Sequence, residues 1–64
     1  MPMNVVLKEK RKAAGLTQEQ VAKRLGVTAP AVNKWEKGST YPDVTLLPAL
    51  ARLLGTDLNT LMCF

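Results

Sequence analysis

The twenty residues from Gln18 to Lys37, QEQVAKRLGVTAPAVNKWEK, constrain the fold of this chain more than any other stretch. Apolar or small residues fall at Val21, Ala22, Leu25, Gly26, Val27, Val32 and Trp35. Two short amphipathic helices need that spacing to pack at a steep angle across one tight turn. The pattern predicts one helix over Gln18 to Leu25 and another over about Ala29 to Lys37. Between them Gly26 takes a left-handed conformation that a β-carbon would resist.

Local start signals agree with these bounds. Thr17 is the N-cap of the earlier helix, Gln20 closes a capping box, and Leu16 staples to Val21. Thr28 caps the later helix, Val27 and Val32 repeat the staple, and Pro30 falls in the first turn, where a missing amide hydrogen does little harm. Upstream, a first helix is predicted from about Asn4 to Ala14. Its stripe is Leu7, Arg11 and Ala14, with Lys8, Lys10 and Lys12 turned mostly to solvent and Gly15 as its stop.

Downstream, Gly38-Ser39-Thr40-Tyr41-Pro42 is dense in turn residues and predicts a loop. A fourth helix follows and ends at Gly55, with Leu46, Leu47, Leu50, Leu53 and Leu54 as its apolar stripe. Its start is open: Pro48 is comfortable in a first turn if Thr45 caps, but interrupts a hydrogen bond if Asp43 caps. Asp57 caps a short fifth helix, Leu58 to about Met62. The expected class is all-α, five helices with a helix-turn-helix at the second and third, and no strand.

A chain of 64 residues makes one domain, residues 1–64, and buries only about 60% of its unfolded surface. That leaves no room for a cofactor crevice, so binding at a surface is the expected activity and no cofactor is implied. Charge is uneven: residues 1–37 carry eight Lys and Arg against three Glu, a net of +5, and residues 38–64 a net of −1. The basic half coincides with the helix-turn-helix and favours a polyanionic partner.

Histidine is absent and the only cysteine is Cys63. A Cys/His zinc site and an internal disulfide are both excluded, and catalysis has few candidate groups, so no enzyme is expected. Cys63 is read as inert, with a crosslink between chains as the alternative. No apolar run reaches the length of about 20 residues that spans a bilayer, and no signal-like segment opens the chain. The expected location is the cytoplasm, with no membrane partner.

The pattern resembles the lambda repressor-like, Cro/C1-type (XRE family) helix-turn-helix domains of bacterial and phage regulators. Beyond the helix-turn-helix, the likeness rests on Leu7 and Arg11, Gly15-Leu16-Thr17-Gln18, Trp35-Glu36-Lys37-Gly38, Pro42, Leu50-Ala51 to Leu54-Gly55, and Leu58 with Leu61. It covers almost the whole chain. The resemblance implies double-stranded DNA as partner, with the third helix in the major groove and the start of the second over the phosphate backbone.

Helical geometry adds its own indication. With Val32 and Trp35 inward and about 100° per residue, Pro30, Asn33, Lys34 and Lys37 point outward and Ala29 lies at the flank. Lys34 suits guanine O6 and N7, and Asn33 suits adenine. Ala29 and Pro30 offer only van der Waals contact, such as to a thymine methyl, where many relatives carry polar residues. The candidate phosphate contacts are Arg11, Thr17, Gln18, Thr28, Lys37, Ser39, Thr40 and Tyr41. Thr17 and Thr28 are needed as caps with or without DNA, whereas Gln18 has no evident folding role.

Arg11 lies on an apolar stripe where an unpaired charge is costly, and Glu36 ends the third helix on the side of Val32. The two are expected to form an ion pair that braces the reading helix; two exposed, independent side chains are the alternative. Resemblance also implies a homodimer on two half-sites about one helical turn apart. The apolar tail of Leu58, Leu61, Met62, Cys63 and Phe64 leaves three readings open: completion of the core, contact with a second chain, or a domain cut from a longer protein. The expected function is a transcriptional regulator, most simply a repressor. The rival is an antitoxin or adaptor that binds another protein and retains DNA binding for autoregulation.

Overall fold

The computed structural model describes residues 3–62. Its helices in chain order are α1 (Met3–Ala13), α2 (Gln18–Leu25), α3 (Ala29–Lys37), α4 (Leu47–Leu53) and α5 (Leu58–Met62), with a 3₁₀ turn at Val44–Leu46 before α4. No strand occurs among the described residues. The bounds of α2 and α3 are those the local signals predict.

Both caps of α2 form as expected. The Thr17 side chain accepts from the Gln20 amide at 3.1 Å, and the Gln20 side chain accepts from the Thr17 amide at 2.8 Å. At the other end Gly26 has φ 72°, and the Val27 amide reaches back to the Ala22 carbonyl at 2.9 Å. That six-residue closure turns the chain sharply and lets α3 start at once. The Thr28 side chain then accepts from the Ala31 amide at 3.4 Å, with Pro30 in the first turn.

Geometry corrects the expected stripe of α1 and settles the open start of α4. Ala14, expected on the α1 stripe, lies beyond the last helical residue and is exposed. The chain leaves helical geometry before Gly15, so the α1 stripe is carried instead by buried Val6 and Leu7, with Met3 packed against the core. Asp43 caps the 3₁₀ turn by accepting from the Thr45 amide at 3.0 Å, and α4 begins only at Leu47. Pro48 therefore stands in a first turn although Asp43 is the cap.

The core gathers Val6, Leu7, Val21, Ala22, Val32, Trp35, Leu47, Leu50, Ala51, Leu54 and Leu61 into one cluster. Leu61 is fully buried, so this much of the apolar tail completes the core, whereas Leu58 is partly exposed. Cys63 and Phe64 lie outside the described residues. The cavity inside the core holds about 10 Å³, with Leu7, Val21, Val32, Trp35, Leu50 and Leu54 in its wall. α3 packs against both α1 and α2, which sets its outer face beside the start of α2.

Candidate nucleic-acid interface

Four side chains from three helices meet behind the outer face of α3. Arg11 of α1 donates from Nε to Glu36 Oε2 at 2.6 Å and from Nη2 to Oε1 at 3.1 Å, while Nη1 donates to the Leu16 carbonyl at 2.8 Å. The Arg11 side chain is 12% exposed and that of Glu36 4%. A forked, charge-assisted contact of this kind fixes direction as well as distance. It ties the end of α3 to α1 and to the chain leading into α2.

Gln18 joins the same group. Its Nε2 donates to Glu36 Oε1 at 3.1 Å and to Asn33 Oδ1 at 3.4 Å. The expectation that Gln18 lacks a folding role is therefore corrected: it links α2 to α3. Asn33, placed outward by helical phase, is half-buried beside it. Asn4 adds a bond from Nδ2 to the Glu36 carbonyl at 3.5 Å, and the Asn4 side chain also rests 3.5 Å from where a β-carbon on Gly38 would sit. Sequence reasoning missed Asn4 entirely, since nothing in its local context marks it.

The remaining candidates fall into two groups. Pro30, Lys34 and Lys37 are exposed on α3, and Ala29 is half-buried at its start against the core. Thr17 and Thr28 are exposed caps whose oxygens accept backbone hydrogens, which leaves each hydroxyl hydrogen able to donate outward. Arg11, Thr17, Gln18, Glu19 and Ala29 together line an open concavity of about 470 Å³. Ser39, Thr40 and Tyr41 follow α3 in an exposed loop, with the Ser39 and Thr40 amides held on the Lys34 carbonyl at 3.0 and 3.5 Å.

These features define a class: a small helical domain with a helix-turn-helix, whose second helix of the pair shows an exposed basic face. Comparison with known proteins places it further. A helix-turn-helix family model matches residues 7–61. The chain belongs to the Cro/C1-type helix-turn-helix family of transcriptional regulators.

It is 42% identical over 55 residues to an uncharacterized HTH-type transcriptional regulator of Methanothermobacter thermautotrophicus, covering 86% of this chain and 80% of that protein. It is 34% identical over 62 residues to the HTH-type transcriptional activator BcrR of Enterococcus faecalis, covering 97% of this chain but only 30% of the activator. In structure it is similar to the P22 c2 repressor solved with a synthetic operator, with a TM-score of 0.90, 27% identity, and coverage of 97% of this chain and 94% of that one. No helix among the described residues is long and apolar enough to cross a membrane.

Proposed function

We propose that this chain binds double-stranded DNA sequence-specifically, with α3 in the major groove and the start of α2 over the phosphate backbone. The observation that carries the reading is the arrangement around α3. A largely buried charged brace of Arg11 and Glu36 stands behind the helix, and exposed Lys34 and Lys37 stand in front of it. Lys34 with Asn33, Ala29 and Pro30 meets the bases. Arg11, Thr17, Gln18, Thr28, Lys37, Ser39, Thr40 and Tyr41 meet the phosphates. The likeness to a repressor solved on its operator supports this orientation.

The simplest regulatory role is a repressor in the cytoplasm that occludes a promoter, bound as a homodimer on two half-sites. A single module supplies few phosphate contacts, and pairing multiplies them. The rival reading, a module that binds another protein, draws on the exposed apolar side chains of Val44 and Leu58. Selection from random duplexes followed by sequencing separates the two. A shared motif, repeated about 10 base pairs apart, is expected of the dimeric regulator. Affinity that falls with salt by the same amount for every sequence overturns it.

A further inference from the structure

The hydrogen bonds around Glu36 run in one direction and end on the reading face. A carboxylate only accepts, so the end of the Gln18 amide that meets Glu36 Oε1 must be its NH₂. The second hydrogen of that NH₂ goes to Asn33, so the end of Asn33 that meets Gln18 is its oxygen. Asn33 Nδ2 is the end left without a partner among the described residues. Beside it on α3, Lys34 can only donate and Pro30 offers hydrocarbon alone.

We propose that α3 reads DNA as a donor-only edge whose polarity is imposed by Glu36 through Gln18, so that the half-site presents guanine, not adenine, to Asn33. This rests on the reading of the chain as a sequence-specific DNA binder. Guanine offers two acceptors in the major groove, N7 and O6, whereas adenine offers N7 beside an amino donor. The usual paired contact of asparagine with adenine turns the amide oxygen toward that amino group. Here the oxygen is turned toward Gln18. Gln18 is in this scheme a positioning residue: it selects a base without touching it.

The test begins with selection from random duplexes, in which Asn33→Ala marks the base pair under Asn33 by relaxing it. Guanine is expected there. With the wild-type protein, replacing that guanine by adenine or 7-deazaguanine weakens binding about tenfold or more, the scale of one good base contact. Inosine, which keeps N7 and O6, binds as guanine does. Gln18→Ala, shown by circular dichroism to keep its helices, frees the Asn33 oxygen and brings guanine and adenine toward parity.

Adenine at the marked position in the wild-type selection overturns the proposal. So does a Gln18→Ala variant that binds every sequence more weakly by one common factor with its base preference unchanged. The analogue measurements use the wild-type protein at the position that Asn33→Ala marks, and they decide the matter where Gln18→Ala fails to fold. A wild-type selection that yields no motif overturns specific binding itself, before any base is compared.

Discussion

Arg11 and Glu36, twenty-five positions apart, share two nitrogen-to-oxygen contacts of 2.6 and 3.1 Å inside the angle between α1 and α3. Helix α1 carries no candidate base-reading residue, yet through this pair it holds the helix that carries them all. Losing either partner leaves the other charge largely buried and alone, which typically costs about 3–5 kcal/mol. Arg11→Ala and Glu36→Ala are each expected to lower the melting temperature by roughly 10 °C or more in a domain of this size. A melting temperature for Arg11→Ala equal to wild type, together with weakened DNA binding, would show that Arg11 serves the phosphates and braces nothing.

Gly26 offers a cleaner stability test, because a β-carbon there meets nothing within 4 Å. Its φ of 72° alone opposes substitution. Gly26→Ala should therefore destabilise by about 1–2 kcal/mol through backbone strain, without disturbing packing. Chemical denaturation with an unchanged slope and a lower midpoint is the expected record. A neutral result would mean that the turn relaxes to another conformation.

Lys34 and Lys37 are both exposed, three positions apart on α3, and should differ in kind. Lys34→Ala is expected to relax preference at one base pair at a cost of ~1–3 kcal/mol on the best site. Lys37→Ala should weaken all duplexes alike and reduce the salt slope by about one. Salt titrations on a selected and a scrambled duplex measure both. A uniform loss for Lys34→Ala would move Lys34 to the phosphates.

Acid should weaken the caps that Asp43 and Asp57 supply. Asp43 and Asp57 are held below their ordinary pKa of 3.8, chiefly by the backbone amides of Thr45 and Thr60, which donate to them. A carboxylate whose folded pKa is depressed adds stability above its unfolded pKa, and that contribution is lost as pH falls through the folded value. Melting temperature should thus begin to fall below 3.8. The double variant Asp43→Asn, Asp57→Asn should fall less steeply. Melts from roughly pH 6 down to pH 2 check this.

The parts of this fold that follow local rules were legible in the sequence. Thr17 with Gln20, Thr28 with Pro30, and Gly26 each act within a few residues, and they set α2 and α3 as predicted. The Arg11–Glu36 pair was also reachable, because a cation on an apolar stripe needs an anion nearby. Gln18 was not. Its partners stand fifteen and eighteen positions away, and only the crossing of α2 over α3 brings them within reach. The split before α4 was hidden for a different reason: Asp43 and Pro48 each signal a start, and the chain obeys both by placing a 3₁₀ turn between them.

The hydrogen bond between Gln18 and Asn33 divides the surface of α3 into two kinds of position with different freedom to change. Pro30 and Lys34 are exposed and take no part in side-chain bonding, so a lineage can rewrite them at little expense to folding, and under the proposed reading the preferred DNA changes with them. Asn33 has no such independence, because its replacement reaches Gln18, then Glu36, then Arg11. Divergence of target sequence among close relatives should therefore run first through the exposed pair. A change at Asn33 should arrive accompanied by a change at Gln18.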